Sequence, residues 1–524
     1  MDMRQPKSAP LQGGRSVASS PPRRPAQWRA ADIADWRHAT LRLRFLAWTL
    51  LLIASGCVGK PNAPRFDPAT LPSFSAGGSQ YVPDRWWTEF ADPGLDAQVN
   101  LALGDSFDLA AALQQVRAAR AVTQREASDF YPDVDGFLEH DDTFGPGRNR
   151  SRTNWGLDAS FQVDLWGQIQ SRVDAERLRA QATEADYQTV ALTLSAEIAR
   201  TWFALIESFA QLDLLAEQVD TNRKGLKAVE LRFGVGGGGG SPNVLRQRQL
   251  VQSTLEQMIV VRSDIEVLEH RLAVLTGRPP QTAVYRPGAV LPSIPPLPVT
   301  GPPSGLIARR PDIRGDYLAF VAADRDLQAA VTDQYPRLDL RASLVNAAEH
   351  PEALFRDWFL SLGGQLVGPL VDGGQRRAEI VRTHAIVCQR FQQYRQTIQV
   401  ALQEVEDGLA REQFQIQRIE KLETQVELAK LASEQLRQRF ITGDATYLDI
   451  LSAVQSQQRL QRTLLSARLE QILIRIGLYL ALAGDFDTRP VTPVNLSPEL
   501  PELPLPAEPG AVEVEFEAAQ KPAE

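Results

Sequence analysis

Few residues in this chain are equipped for covalent chemistry, and the setting of one of them says what it would do. In LRLRFLAWTLLLIASGC, Arg42 and Arg44 precede an apolar run from Phe45 to Ile53, and small residues lead into Cys57. A basic start, an apolar stretch too short to span a bilayer and a small-residue processing position make a secretory leader. Ala-Ser-Gly-Cys resembles a bacterial lipobox, with Ala54 where Leu is usual, so the Cys57 thiol is expected to become a lipidated N-terminus. The competing reading is that Cys57 merely ends an uncleaved anchor. A long polar stretch precedes the leader, as an overlong start would, so residues 1–57 are assigned to the signal segment and kept out of the fold.

With Cys57 lipidated, Cys388 is the one thiol left, and no intrachain disulfide can form. Cys388 sits in a helical pattern and reads as a small apolar packing residue. His38, His140, His270, His350 and His384 are scattered without metal-ligand spacing, and no nucleophile motif accompanies them. The Gly run at 236–240 resembles a phosphate loop only superficially, because it lacks a Gly-Lys-Ser/Thr ending and a preceding strand. The expectation is a non-enzyme with no cofactor and no metal, apart from the covalent lipid on Cys57.

The elements that carry these residues follow a repeat. ASDFYPDVDGFLE at 127–139 matches VTDQYPRLDLRAS at 331–343, DLWGQ at 164–168 matches VDGGQ at 371–375, and LAVLTG at 272–277 matches LALAG at 480–484. The chain is an internal duplication. An N-terminal extension spans 58–92, the first repeat 93–277, a Pro-rich linker 278–304, the second repeat 305–484, and a Pro/Glu-rich tail, expected to be disordered, 485–524. A hydrophobic share of 43% allows a sizeable core, and a net charge of −8 without a basic, aromatic-bearing stripe argues against nucleic acid.

Each repeat holds two stretches of period-two alternation. Trp155, Leu157, Ala159, Phe161, Val163 and Leu165 alternate with polar residues, as do Leu338, Leu340, Ala342 and Leu344. Trp358, Leu360, Leu362, Gly364, Leu366 and Leu370 form a third run, and 133–142 a weaker fourth. Strands of about ten residues can cross a bilayer when tilted. A small soluble sheet with one buried face would show the same alternation. Against it stand the aromatics Trp155, Phe161 and Trp358, the long helices that follow, and the lipobox. Four strands cannot close a barrel and lipid does not tolerate an open edge, so several chains must share one.

Long helical patterns run from 168 to 233 and from 375 to 440, each expected to reach about 100 Å. Apolar positions such as Leu194, Ile198, Leu205, Leu212 and Val219 in the first, and Ile398, Val405, Leu409, Ile416 and Ile419 in the second, step by threes, fours and sevens as in a coiled-coil seam. RFGVGGGGGSPNVL at 232–245 and RFITGDATYLDIL at 439–451 punctuate them, so Arg232, Phe233 and Gly236, and again Arg439, Phe440 and Gly443, mark the tips of two helical hairpins.

Beyond these patterns, VPDRWWTEFADPGLDAQV at 82–99, FQVDLWGQ at 161–168, PSGLIARRPDIRGDY at 303–317, GPLVDGGQRRAEI at 368–380, QEVEDGLA at 403–410 and the turn at 439–451 make the sequence resemble the outer-membrane efflux proteins. Within these it is similar to the lipoprotein branch that works with resistance-nodulation-division transporters. The resemblance implies a mixed α+β membrane protein, a homotrimer sharing a twelve-stranded transmembrane β-barrel, four strands per chain, continuous with a long α-helical coiled-coil periplasmic tunnel. It implies a passive exit duct in the bacterial outer membrane, anchored in membrane lipid and opened when a periplasmic adaptor (membrane fusion protein) docks on the hairpin tips, with an inner-membrane transporter beyond.

By the same resemblance Leu448, Asp449 and Ser452, with Asn243 in the first half, line the periplasmic aperture. Ser452 stands where a second Asp often occurs, and Ala445 where a basic residue can. A closed ring of Asp449 carboxylates would need a bound cation or a neighbour such as Arg246; alternatively Asp449 is a solvated acid at a helix N-terminus. The rival for the whole chain is a periplasmic coiled-coil adaptor or scaffold lipoprotein without a barrel.

The leader generates one test. Cys57→Ser is expected to abolish incorporation of radiolabelled palmitate and leave a larger precursor; unchanged labelling contradicts lipidation at Cys57.

Overall fold

The computed structural model describes residues 60–484 and Phe486, apart from 67–70, 80–81, 147–149, 235–239, 351 and 353–354. Cys57 and Gly236 lie outside the described residues, as does nearly all of 485–524. In chain order the elements are α1 (Pro93–Asp105), α2 (Phe107–Ala127), β1 (Asp133–Thr143), β2 (Arg150–Val163), α3 (Gln168–Gly234), α4 (Ser241–Leu275), α5 (Pro303–Arg309), α6 (Pro311–Thr332), β3 (Arg337–Ala348), β4 (Trp358–Val367), α7 (Gln375–Thr442) and α8 (Tyr447–Leu482). Two short helices, two strands and a long helix with its return therefore occur in both halves.

The strands form one antiparallel sheet in the order β1-β2-β3-β4. Its register puts Leu138 opposite Trp155, Leu157 opposite Leu344, and Leu344 opposite Leu360. Directly opposed residues share a face, so these apolar side chains, with Val134, Phe161, Leu340 and Leu362, make one continuous apolar surface. The other face carries Asp135, Asp158, Ser160, Ser343, Arg341 and Gln365. Neither face is covered by the rest of the chain: Leu138 and Leu362 on the apolar face are both 76% exposed, and Asp158, Ser160 and Arg341 on the polar face are exposed. The outer edges of β1 and β4 have no strand beside them among the described residues. β3 runs past Leu344 through Val345 and Asn346, whose amide joins the Trp155 indole at 3.1 Å. β4 stops at Val367, short of Leu370, because Gly368-Pro369 cannot extend the ladder.

At 67 and 68 residues, α3 and α7 span about 100 Å each. The shorter helices stack end to end along them. Arg120 of α2 meets Glu184 near the start of α3, and α4 returns beside its remainder, with Arg248 reaching Glu230 at 2.8 Å. α6 and α8 likewise share α7 and lie between it and α3. Where α6 and α8 meet, the RRPDI block acts as a knot. Arg310, largely buried, forks onto Asp312 at 2.6 and 3.0 Å and reaches Glu404 of α7 at 2.7 Å and the Ala481 carbonyl of α8 at 3.2 Å. Burial alone would loosen its proton, but the hydrogen bonds to Asp312 and the charges of Asp312 and Glu404 outweigh it and raise its pKa.

The WWTEF segment anchors the centre of the molecule. Asp92 caps α1 by accepting from Gly94 and Leu95, and its second oxygen accepts from the Trp202 indole at 2.9 Å. Trp86 is fully buried, stacks on Tyr479 and donates to Ser195. The linker wraps one face of the α7/α8 pair, held by Arg475. Its guanidinium, 3% exposed, pairs with Glu412 and donates to the carbonyls of Pro295 and Pro296. The N-terminal segment joins this belt through Gly78 N to Pro298 O at 2.9 Å and Ser75 N to Glu406 at 2.9 Å. Cys388 is half-buried on α7, its Sγ 3.9 Å from His384 Nε2.

Two expectations follow. Arg475→Leu leaves a buried Glu412 carboxylate without its cation and should cost about 3–5 kcal/mol in denaturant titration of the helical signal; an unchanged midpoint contradicts the buried pair. A charge at Leu157 or Leu340, on the apolar face, should cost about 2–4 kcal/mol near a bilayer midplane, while the same change at Ser160 or Ser343 should be mild, as read from refolding into lipid.

Candidate functional site at the helix tips

The helix ends that flank the two similar turns lie side by side, Arg232 of α3 against Phe440 of α7. α7 ends because Gly443 adopts φ 93°, a left-handed conformation, and the Asp444 amide closes back onto the Arg439 carbonyl at 2.8 Å. Thr446 then caps α8. Its amide and hydroxyl both donate to Asp449 Oδ2, at 2.9 and 2.6 Å, and the Asp449 amide donates to the Thr446 hydroxyl at 3.3 Å. This capping box gives the Asp449 carboxylate a local role that the sequence pattern left open. The Thr446 hydroxyl and amide hold its pKa below the usual range, although the side chain is fully exposed. Arg246, weighed above as a neighbour for Asp449, donates instead to Asn243 on its own helix at 3.2 Å. Leu448 is 54% exposed and Ser452 is exposed, its hydroxyl returned to the Asp449 carbonyl. Leu448, Asp449 and Ser452 thus share an open surface on the first turns of α8, and Asn243 lies half-buried at the start of α4.

The two Arg-Phe pairs are used unequally. Arg232 of the first half lies over the Phe440 ring of the second, 4.2 Å from its centroid, a cation–π contact between the hairpins. Phe233 and Arg439, their counterparts, are exposed. Phe440 also packs on Tyr447, which with Leu250, Leu451 and Val229 forms a small apolar cluster at the tip. The buried Tyr447 hydroxyl donates to Gln247, whose amide donates to the Asn222 carbonyl at 2.8 Å. Burial pushes the Tyr447 hydroxyl up to about 12.

Above the tip a polar seam joins α3 to α8. Asn222 and Gln458 exchange amide hydrogen bonds at 3.2 and 2.9 Å, and Asn222 also reaches Thr254 of α4. Gln218 meets Gln461 and Arg462, and Gln211 meets Glu207 and Ser466. Sequence reading missed these residues because it followed apolar positions. Their signal was present: Glu207, Gln211, Gln218 and Asn222 are spaced by four, seven and four, where a heptad seam would hold apolar side chains. Buried polar groups at such positions set register at a cost in stability. The seam fixes one alignment of the two hairpins.

The arrangement is that of a hairpin pair presenting exposed first-turn residues and a weakly apolar junction. It offers no reacting constellation among the side chains gathered there. The family model described as outer membrane efflux protein matches residues 99–278 and 303–484. The chain is 28% identical over 462 residues to the pyoverdine export outer membrane protein OpmQ of Pseudomonas putida, covering 86% of this chain and 97% of that one. It is 26% identical to the cation efflux system protein CusC of Escherichia coli K12, covering 84% and 99%. The solved structure of the outer-membrane channel OprN superposes with a TM-score of 0.73 at 25% identity, covering 82% and 98%.

Tyrosine in an unfolded chain ionises near 10. Between about 10 and 12 the unfolded state has lost that proton while the folded tip retains it, so the contribution of Tyr447 is full below pH 10 and disappears as pH rises through 12. Amide exchange in the first turns of α8 should accelerate over that window relative to the centre of the helix, and Tyr447→Phe should remove the extra pH dependence. Equal exchange profiles for both proteins contradict the assignment.

Proposed function

Because this chain belongs to the outer membrane efflux protein family, we infer how its particular residues build and gate the exit duct. It is an outer-membrane efflux channel with a periplasmic helical tunnel, and the reading as a periplasmic adaptor or scaffold is set aside. The observation that carries the assembly is the sheet: apolar on one face, polar on the other, exposed on both, with two open edges. Three copies would pair β4 of one with β1 of the next and close twelve strands, with the Leu157 face toward lipid and the Asp158 face toward water.

The helices support the same assembly. Val260, Val267 and Val274 are exposed along α4 at seven-residue spacing. α4 stands at one lateral edge of the chain, against α3, so a neighbouring copy would cover this stripe with heptad packing. Cys57 would anchor each copy by its lipid. A periplasmic adaptor would dock on the tips around Arg232, Phe233, Gly236, Arg439, Phe440 and Gly443, and an inner-membrane transporter of the resistance-nodulation-division class would deliver the cargo.

At the aperture, Leu448, Asp449 and Ser452 from each copy, with Asn243, would converge. Leu448 supplies apolar closure. Asp449, kept ionised by its cap, presents negative charge whose second oxygen is free of the Thr446 contacts, which suits a cation held between copies. The related proteins are named for pyoverdine export and for cation efflux, different cargoes that suit a passive duct loaded by its transporter.

In planar bilayers the purified protein should show a small resting conductance that divalent ions added from the tip side block. Asp449→Ala should abolish that block while assembly persists, because an exposed carboxylate adds little to stability. Leu448→Ser should raise the resting conductance. If both variants keep wild-type current and wild-type block, the aperture is elsewhere.

A further inference from the structure

The groove between α7 and α8, about 750 Å3 in volume, gathers four guanidinium groups: Arg411 and Arg418 from α7, Arg459 and Arg462 from α8. Phe414 and Glu470 also line it. Arg411, Arg418 and Arg459 are exposed, and Arg462 is half-buried. Acidic compensation is thin. Asp407 lies 4.0 Å from Arg411, and Arg418 and Arg462 are met by the neutral amides of Gln415 at 3.3 Å and Gln218 at 2.5 Å. Burial, and then the charge of Arg459, lowers the pKa of Arg462, as happens when like charges are gathered without enough counter-charge.

The position of the groove gives it meaning. Glu412 and Arg475, on the same two helices, face the linker through Pro295 and Pro296. The groove lies on the other side of the helix pair, away from the belt. Along α8, Leu448, Ser452, Arg459, Ser466 and Glu470 recur at four, seven, seven and four residues, one stripe of a coiled-coil helix. The arginines therefore sit on the same face as the aperture residues, about 16 Å along the helix from Leu448. In a tunnel whose belt lies outside, that face lines the lumen.

We propose that this groove is an anion-binding site in the tunnel wall, a way-station for small molecules bearing carboxylate or phosphate groups. The proposal rests on the channel reading for its lumen, and it names a chemical class that the site would favour. Guanidinium forks match planar oxyanions with paired hydrogen bonds. Phe414 adds an apolar surface beside them for the body of an organic anion. With each copy contributing four guanidiniums at one level, an anion leaving the aperture would meet attraction just inside it.

The test measures equilibrium binding of benzene-1,3,5-tricarboxylate and of inorganic pyrophosphate to the purified full-length protein in detergent at low ionic strength, by titration calorimetry. Saturable binding of either probe is expected, and the tighter one identifies the preferred oxyanion. Affinity should fall at least about tenfold in Arg418→Gln/Arg459→Gln, rise in Glu470→Gln, and vanish in high salt, since exposed charges are screened. No saturable binding to the wild type, or equal affinity in all three proteins, overturns the site. Bilayer current is recorded in parallel. Protein that conducts but binds neither anion removes the site and leaves the duct, and protein that binds anions without conducting keeps the site and removes the duct.

Discussion

A strand edge facing hydrocarbon is the constraint on which the rest of this structure depends. Backbone N–H and C=O groups without partners are costly in lipid, where no water can replace them. The four strands leave two such edges, and the apolar face through Leu138, Leu157, Leu344 and Leu362 commits the sheet to lipid on one side. A soluble protein would cover that face with a helix. Here the helices run away from the sheet, so other copies must complete it.

The helical part is built differently at its middle and at its tips. At the middle, Trp86, Tyr479, Arg310 and the Arg475–Glu412 pair bind the two repeats to one another and to the linker belt. Toward the tips the same helices meet through amides and hydroxyls, and the last apolar cluster is a small one around Tyr447. Apolar packing is non-directional and tolerates sliding, whereas a reciprocal Asn222–Gln458 amide pair forms in one register. A seam of such pairs therefore specifies one alignment.

Much of this is legible in the amino-acid sequence alone. Trp155 to Val163 and Leu338 to Leu344 alternate strictly, and a half-apolar sheet prints itself in that way. β1 is fainter because Asp133, Asp135, Glu139 and Asp141 fill one face while Gly136 and His140 interrupt the other. The end of β3 broke the rule at Asn346, whose partner Trp155 is distant in sequence. Leu370 kept the period but not the strand, since Gly368-Pro369 intervenes. At the tips, local patterns found the Gly443 turn and the exposed residues of α8, yet missed the Tyr447–Gln247 bond and the Arg232–Phe440 contact. Those join residues about two hundred positions apart, and nothing local distinguishes Arg232 from Arg439. Asp449 was ambiguous for the opposite reason: a capping box and an aperture acid make the same demand on sequence, an Asp just inside a helix.

The central claim is that one chain holds a third of a barrel and cannot close it alone. Native mass measurement of the full-length protein extracted in mild detergent, with its β-sheet signal recorded on the same sample, tests this most directly. The account predicts a species of three chains that loses its sheet signal when it dissociates. A stable monomer with the full sheet signal would contradict it.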